Sequence, residues 1–259
     1  MNNGLKNKTI ILTRSGEQAV EPRKKLESLG ANVIAFPTIK IVPISVFNHF
    51  DTYAEKLKEF NYIVFTSENA VEYSIKRLRE TKREIPEKLQ VVCVGRKTAD
   101  KCEEYGIKVD IVPDDYSAEG LLKYFSAKEI VEKKFFIPSS AIARTELKMG
   151  LLEQKADVVQ IPIYDAAMPD EEEIQKGKKQ LEGKKIDLII FTSPSTFRNF
   201  LKIMQIDKPG KYFKDIKIAA IGPTTAAVIE RAGLKIDISP STFTMDDLID
   251  TIIKFYSKD

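Results

Sequence analysis

The chain has 259 residues, 43% hydrophobic and 31% charged, a composition typical of a soluble globular protein that buries two modest cores. A net charge of +3 is no indication of nucleic-acid binding. One histidine and two cysteines exclude a histidine-rich metal site and a disulfide framework, so we expect no metal and a reducing cytoplasm. No apolar run is long enough for a bilayer, and residues 1–8 lack the apolar core of a signal peptide.

Short apolar runs predict strands along the whole chain. They run four to six residues without strict alternation, which is typical of strands buried on both faces of a parallel sheet. The predicted strands are Thr9–Thr13, Val33–Phe36, Tyr62–Phe65, Val91–Val94, Val109–Val112, Phe135–Ile137, Val158–Ile161, Leu188–Phe191, Ile218–Ile221 and Ile236–Ile238.

Helical patterns lie between these runs. Two apolar stripes predict helices that face a sheet, namely Val71, Ile75 and Leu78 in one helix and Phe197, Leu201 and Met204 in another. Gly106 and Gly233 are predicted to end helices, and Ser117 and Thr244 to begin them as N-caps. The alternation of strand and helix favours doubly wound α/β architecture.

The sequence also repeats itself. Phe65-Thr66-Ser67 returns 126 residues later as Phe191-Thr192-Ser193, and Val94-Gly95 returns 127 residues later as Ile221-Gly222. A looser pair relates residues 11–14 to residues 136–139. These repeats predict two similar α/β lobes, and two lobes favour a ligand cleft between them.

Two proline-containing extended runs interrupt the alternation, at residues 36–43 and 160–165, and Pro37 matches Pro162 in the repeat. We interpret them as two connections between the lobes, lying side by side as a two-stranded connector. One lobe is then inserted into the other: residues 1–37 and 166–259 form the first domain, and residues 38–165 the inserted domain. Two lobes in series, divided near residue 126, are an alternative that the repeat alone leaves open.

Ligands of open α/β sheets bind where strands turn into helices, and the repeats concentrate small polar residues there. Backbone N–H groups and hydroxyls at such turns bind anions, although the same residues also serve as helix caps. The candidate substrate-binding residues at these turns are Thr66, Ser67, Asn69, Ala70, Gly95, Thr98, Ser193, Ser195, Gly222, Thr224 and Thr225. Neither glycine turn has the spacing of a dinucleotide or phosphate loop, so no nucleotide cofactor is expected.

Four further residues complete the candidate site. Arg14 follows the first strand, and Arg144 lies in the predicted first turn of the helix after Phe135–Ile137, where a guanidinium binds a carboxylate with two hydrogen bonds. Ser139 lies between that strand and that helix. Tyr164 lies in the second connector, at the predicted floor of the cleft, and is the candidate proton donor.

Together these residues resemble the uroporphyrinogen-III synthase family. The resemblance rests on the Ile-Leu-Thr-Arg start, the Phe-Thr-Ser turns at 65–67 and 191–193, the Ile-Gly-Pro-Thr-Thr-Ala turn at 221–226, and Tyr164 in the return connector. It covers the whole chain. One departure is Asn69, where some members of the family carry arginine.

The resemblance implies a two-domain fold joined by a two-stranded ladder and a reaction that needs no cofactor or metal. The implied substrate is hydroxymethylbilane, a linear tetrapyrrole that carries acetate and propionate groups. The enzyme closes the macrocycle with loss of water and inverts the last ring through a spiro intermediate. The implied protein is a cytoplasmic lyase of haem biosynthesis. We expect a monomer that takes its substrate in a transient hand-over from the preceding enzyme, without nucleic-acid or membrane partners.

Two other functions stay open on the residues alone. One is a non-catalytic, two-lobed small-molecule-binding module, against which the connector tyrosine counts. The other is a regulatory protein on a flavodoxin-like scaffold, against which the absence of clustered acids at strand ends counts. Turnover distinguishes the enzyme from both.

Overall fold

The computed structural model describes residues 4–14 and 16–257, and only the backbone of residue 17. The chain separates into two compact units, which we call unit 1 (Met1–Lys40 and Ala167–Asp259) and unit 2 (Ile41–Ala166). These limits lie three residues and one residue from the limits expected from the sequence.

Nine strands and eleven α-helices are found in the described part of the chain, and a 3₁₀ turn spans Leu57–Glu59. The strands are β1 (Thr9–Leu12), β2 (Asn32–Ala35), β3 (Lys40–Pro43), β4 (Tyr62–Phe65), β5 (Gln90–Cys93), β6 (Lys134–Ser140), β7 (Asp157–Ala167), β8 (Leu188–Phe191) and β9 (Lys217–Ala220). The helices are α1 (Gly16–Ser28), α2 (Asn48–Ala54), α3 (Glu68–Glu80), α4 (Arg96–Glu104), α5 (Ala118–Ser126), α6 (Glu146–Glu153), α7 (Glu171–Leu181), α8 (Pro194–Ile203), α9 (Pro209–Tyr212), α10 (Pro223–Arg231) and α11 (Met245–Tyr256).

Unit 1 contains a four-stranded sheet in the order β2-β1-β8-β9, and all three strand pairs are parallel. Its strands are buried on both faces. In β1, Ile10 and Leu12 belong to one apolar cluster, and Ile11 belongs to the cluster on the other face. This arrangement confirms the prediction of a parallel sheet covered by helices on both sides.

Unit 2 contains a five-stranded sheet in the order β3-β7-β6-β4-β5. The pairs β4–β5, β4–β6 and β6–β7 are parallel. Successive residues again face opposite sides of the sheet, with Ile63 and Phe65 in one apolar cluster and Val64 in the other. The two units are therefore built on one plan.

The repeat explains this shared plan. Its offsets relate β1 to β6, β2 to β7, β8 to β4 and β9 to β5, and under this correspondence the order of the unit 1 sheet matches β7-β6-β4-β5 of unit 2. Each sheet combines strands from both halves of the sequence, because β1 pairs with β8 and β4 pairs with β6. These pairings exclude two lobes in series divided near residue 126.

Both connecting segments are strands of the unit 2 sheet, β3 at its edge and β7 beside it. The Ile44 N–H donates to the Ile163 carbonyl at 3.3 Å. Pro162 lies inside β7, next to a register irregularity: Ser139 pairs with Pro162, and Ser140 then pairs with Tyr164. A bulge of this kind accommodates the missing proline N–H and changes the direction in which the following side chains point.

Three local predictions were wrong. Val109–Val112 and Ile236–Ile238 are not strands, because each contributes a single bridge, at Ile111 and at Ile238, before the chain turns away. The buried face of α8 consists of Phe197, Phe200 and Ile203. Of the predicted stripe only Phe197 belongs to this face, and Leu201 and Met204 lie at its margin.

The predicted helix ends are confirmed. Gly106 and Gly233 have φ of 76° and 77°, the left-handed conformation that favours glycine after a helix. Ser117 accepts a hydrogen bond from the N–H of Gly120, and Thr244 accepts one from the N–H of Asp247. These caps fix where α5 and α11 begin.

Candidate functional site

Unit 2 holds a pocket of about 410 Å³ at the edge of the sheet where its parallel strands end. Ligands of α/β proteins bind at this edge. The polar and charged residues that line the pocket are Thr66, Ser67, Ser117, Glu119, Ser140, Arg144, Glu146, Lys148, Gln160 and Tyr164. Four of them, Thr66, Ser67, Arg144 and Tyr164, are predicted site residues.

A hydrogen bond joins the Phe-Thr-Ser turn to the connector tyrosine. The Ser67 Oγ and Tyr164 Oη atoms are 3.0 Å apart, and Ser67 Oγ also accepts the Ala70 N–H at 3.1 Å. Ser67 is the N-cap of α3 and has an extended backbone. The capping bond therefore fixes the serine hydroxyl against the phenol.

Tyr164 is half-buried, and its ring stacks on Tyr73, with ring centroids 5.9 Å apart. The Tyr73 hydroxyl in turn donates to the Ile41 carbonyl at 2.9 Å. Burial raises the pKa of Tyr164 above its ordinary value of 10.0, and the Ser67 hydrogen bond opposes this by a smaller amount. The phenol thus keeps its proton at neutral pH and is able to donate it.

Two cations line the same pocket. Arg144 is exposed and Lys148 is half-buried, and among the described residues neither forms an ion pair. Arg144 was predicted in the first helical turn, but it lies in the loop before α6, whose N-cap is Thr145. The β6 strand extends to Ser140, three residues beyond its predicted end, and so displaces the start of the helix. The loop carbonyl of Arg144 accepts a hydrogen bond from the Gln160 amide at 3.2 Å.

The other predicted residues of unit 2 do not line the pocket. Asn69 is half-buried in the first turn of α3, and the Ala70 N–H is already donated to Ser67. Gly95 is the N-cap of α4, and Thr98 in its first turn is 6% exposed. Ser139 is buried within β6, and its hydroxyl lies within hydrogen-bond distance of the carbonyls of Ser140 and Ile161.

The predicted residues of unit 1 also lie at the carboxyl edge of their sheet. Ser193 caps α8 by accepting the Thr196 N–H at 3.2 Å, and its hydroxyl is 2.8 Å from that of Ser195. Arg14 follows β1, and its guanidinium donates to the Gln18 side chain at 3.1 Å.

The glycine turn of unit 1 follows β9. Gly222 is the N-cap of α10. In the first turn of that helix, Thr224 is exposed and Thr225 is buried.

Sequence reasoning missed six polar or charged residues of the pocket: Ser117, Glu119, Ser140, Glu146, Lys148 and Gln160. Lys148 follows Arg144 by four residues, and residues at this spacing lie on one side of a helix. This spacing was the signal from which Lys148 could have been predicted. Gln160 was placed in a predicted strand and connector, but was not proposed as a site residue. Ser117 was identified as a helix cap and not as a pocket residue.

Two larger pockets lie at the opposite edges of the sheets. One of 690 Å³ surrounds the start of β5, and one of 720 Å³ surrounds the start of β9. They are equivalent in the repeat, and their carboxylates cap the strands, since Asp110 accepts the Val91 N–H and Asp237 accepts the Ile218 N–H. Their equivalence follows from the repeated fold.

No cluster of three or more metal-ligating side chains is present in residues 4–14 and 16–257. Within the same ranges, no helix has the length and apolar character needed to cross a membrane.

Comparisons with known proteins agree on one family. Residues 21–250 match the family model described as uroporphyrinogen-III synthase HemD. The uroporphyrinogen-III synthase of Chlorobaculum parvum is 32% identical over 91% of this chain and 94% of its own length. That of Synechococcus elongatus is 29% identical over 93% of each chain.

Solved structures show the same fold. The uroporphyrinogen-III synthetase of Helicobacter pylori aligns with a TM-score of 0.63 at 17% identity, covering 95% of this chain and 99% of that one. A mutant uroporphyrinogen III synthase of Thermus thermophilus aligns with a TM-score of 0.59 at 15% identity, covering 97% and 100%.

Proposed function

The chain belongs to the uroporphyrinogen-III synthase family, and we propose that it closes hydroxymethylbilane into the type III macrocycle with Tyr164 as its proton donor. The single observation that carries this proposal is the 3.0 Å contact between Ser67 and Tyr164 at the edge of a pocket that also holds Arg144 and Lys148. The pocket combines a protonated phenol with two cations suited to substrate carboxylates, and it also contains the carboxylates of Glu119 and Glu146.

The reaction begins when the substrate loses its hydroxyl group. The carbon–oxygen bond breaks, the departing oxygen takes the Tyr164 proton and leaves as water, and the pyrrole nitrogen stabilises the cation that remains. The proton that the substrate loses when the macrocycle closes returns to the phenol oxygen. The Tyr164 phenol donates a hydrogen bond to the departing oxygen. General acid assistance of this kind accelerates a reaction by about 10²–10⁴-fold.

Ser67 orients the Tyr164 hydroxyl for its hydrogen bond to the substrate. Its oxygen accepts the Ala70 N–H, and in the proposed arrangement its own proton is donated to the Tyr164 oxygen. The phenol proton is then left for the substrate, and the Ser67 hydrogen bond stabilises the negative charge that develops on the phenol oxygen. Hydrogen bonds in such a chain strengthen one another.

The pocket cations hold carboxylates of the substrate. A guanidinium binds a carboxylate with two parallel hydrogen bonds, and an ammonium binds it as a point charge. Arg144 and Lys148 supply one of each. Fixing the substituents orients the terminal ring so that its substituted carbon attacks, and orientation is a large source of rate.

The turns of unit 1 bind the substrate without acid catalysis. The hydroxyls of Ser193, Ser195 and Thr224 and the N–H groups after Gly222 are suited to its remaining carboxylates. We further propose that the enzyme is a cytoplasmic monomer, that it needs no cofactor, and that it takes its substrate in a transient hand-over from the preceding enzyme.

An isomer assay tests the function. Hydroxymethylbilane is generated in situ, the protein is added without metal or cofactor, and the products are oxidised and separated into type I and type III uroporphyrins. Dominant type III supports the proposal. Type I at the uncatalysed rate, from folded protein, contradicts it and favours a binding module.

A further inference from the structure

Two exposed aromatic side chains occupy equivalent places in the two units. Among the described residues, eight large apolar side chains are exposed, and the aromatic ones are Tyr116, 61% exposed, and Phe243, 59% exposed. They lie 127 residues apart, the offset that also relates Gly95 to Gly222. The two exposed rings therefore occupy the same position in both repeats.

A glycine lies beneath each ring. A Cβ atom on Gly95 would lie 3.3 Å from the Tyr116 Cβ, and one on Gly222 would lie 3.3 Å from the Phe243 Cδ1. Both glycines have an extended backbone that any residue adopts, so it is the close approach of the ring that favours glycine. Each ring therefore contacts a turn on one side and solvent on the other.

The loops that carry the rings are fixed by hydrogen bonds. Ser117, next to Tyr116, donates its N–H to the Asp115 carbonyl at 2.7 Å and caps α5. Thr244, next to Phe243, donates its N–H to the Thr242 carbonyl at 2.8 Å and caps α11. The backbone that carries the rings is thus held in place before any ligand arrives, which lowers the entropy cost of binding.

Each ring lies at the edge of its sheet where the strands end. Gly95 and Gly222 follow β5 and β9, and Ser117 lines the pocket that contains Tyr164. A tetrapyrrole combines flat apolar rings with carboxylate arms. The pocket supplies cations for the arms, and an exposed aromatic face suits the rings.

We propose that Tyr116 and Phe243 each contact a pyrrole ring of the tetrapyrrole at the edge of their own unit. This inference rests on the proposed function and adds the residues that position the rings. Such contacts act on substrate affinity and on the orientation of the terminal ring, and they transfer no proton. They therefore affect KM and the type III fraction, and leave the pH dependence unchanged.

The absence of tryptophan from the chain makes a direct binding test possible. Tyr116→Trp and Phe243→Trp each introduce a single fluorophore, and Val131→Trp places one at an exposed site before β6 as a control. The probe is uroporphyrinogen III under anaerobic conditions, whose isolated pyrroles do not absorb tryptophan emission. We expect saturating probe to reduce acrylamide quenching at least twofold at positions 116 and 243, and not at 131. Unchanged quenching at either position overturns the proposal.

Kinetics provide the second test. Tyr116→Ala and Phe243→Ala are expected to raise KM roughly three- to tenfold and to lower the type III fraction. Tyr116→Phe and Phe243→Tyr are expected to restore both, and Val131→Ala to change neither. Unchanged KM and isomer ratio in both alanine variants contradict the inference, while type III formation by the unaltered chain still supports the proposed function. If the unaltered chain forms no type III, the proposed function fails, and the quenching test still decides whether the rings contact a tetrapyrrole.

Discussion

The serine turns of the two units have the same backbone and different partners. Ser67 and Ser193 both have φ of −160°, and each accepts an N–H from the residue three positions on. The second partner of Ser67 is the Tyr164 phenol, whereas that of Ser193 is the Ser195 hydroxyl on its own turn. One scaffold thus places a phenol against the serine in unit 2 and a second serine hydroxyl against it in unit 1.

The difference originates in the connectors. Aligning Pro37 with Pro162 places Ile39 where unit 2 has Tyr164. The neighbouring Thr38 is fully buried, and its hydroxyl lies 3.1 Å from the Thr13 carbonyl and 3.2 Å from that of Thr196. Unit 1 therefore uses this segment for packing, while unit 2 uses it to bring a phenol to a pocket.

The largest expected effect on the difference between the two units comes from removing the Tyr164 phenol oxygen. Tyr164→Phe is expected to lower kcat about 100-fold with little change in KM, because general acid assistance is lost and the ring remains. Tyr212→Phe is the matched control, since Tyr212 is also a tyrosine whose pKa burial raises, but it belongs to unit 1. Type III formation rates measure both, and equal rates for Tyr164→Phe and the unaltered enzyme would remove the role.

The next largest effect concerns the pocket cations. Arg144→Ala and Lys148→Ala are each expected to raise KM about three- to tenfold, because a carboxylate of the substrate loses its partner. The difference from the unaltered enzyme is expected to shrink at high salt. Lys123→Ala, an exposed lysine of α5 outside the pocket, is the control. KM values that match the control would show that the substrate carboxylates bind elsewhere.

The two serines give a direct contrast between the units. Ser67→Ala and Ser193→Ala are each expected to lower the free energy of unfolding by about 1 kcal/mol, because each removes an N-cap. Only Ser67→Ala is expected to lower kcat as well, by about fivefold, since it also removes the hydrogen bond to Tyr164. Denaturant unfolding and turnover separate the two effects. Complete inactivation of either variant with an intact fold would instead indicate a dedicated catalytic hydroxyl.

The smallest expected effect is on pH dependence. The reaction needs the neutral phenol, and burial raises the pKa of Tyr164 above 10.0, so the active form persists through neutral and moderately alkaline pH. We expect kcat to show no loss from this group between about pH 7 and about pH 10. A decrease of kcat below about pH 10 that is absent in Tyr164→Phe would contradict this expectation, because the phenol would then ionise more easily than its burial allows.

The sequence predicted the fold well because its signals are local. Buried strands such as Tyr62–Phe65 and Leu188–Phe191 are short apolar runs with clear ends, and the structure has them at those residues. The runs around Ile111 and Ile238 look similar but form single bridges, because pairing depends on how the chain leaves the sheet. The segments of β3 and β7 were expected to lie side by side as a two-stranded connector, but their place in the five-stranded sheet of unit 2 was not predicted.

The site was harder to predict because its contacts join residues that are distant in sequence. The turn at Ser67 was visible in the repeat, but its contact with Tyr164 joins residues 97 positions apart. Ser139 has the right residue type and position, yet the extended β6 directs its hydroxyl to backbone carbonyls. Side-chain direction at strand ends depends on bulges and caps that apolar patterns do not reveal.

The pairing of β1 with β8 has a consequence for the order of events during synthesis. The Thr9 N–H finds its acceptor in the Asp187 carboxylate, 178 residues further along the chain. At translation rates of about 5–20 residues per second, β1 waits on the order of ten seconds for that partner. All strands of unit 2 leave the ribosome in the meantime. The nascent chain therefore holds a finished second sheet and an unpaired edge of β1, which is where we expect chaperones to bind and truncated chains to aggregate.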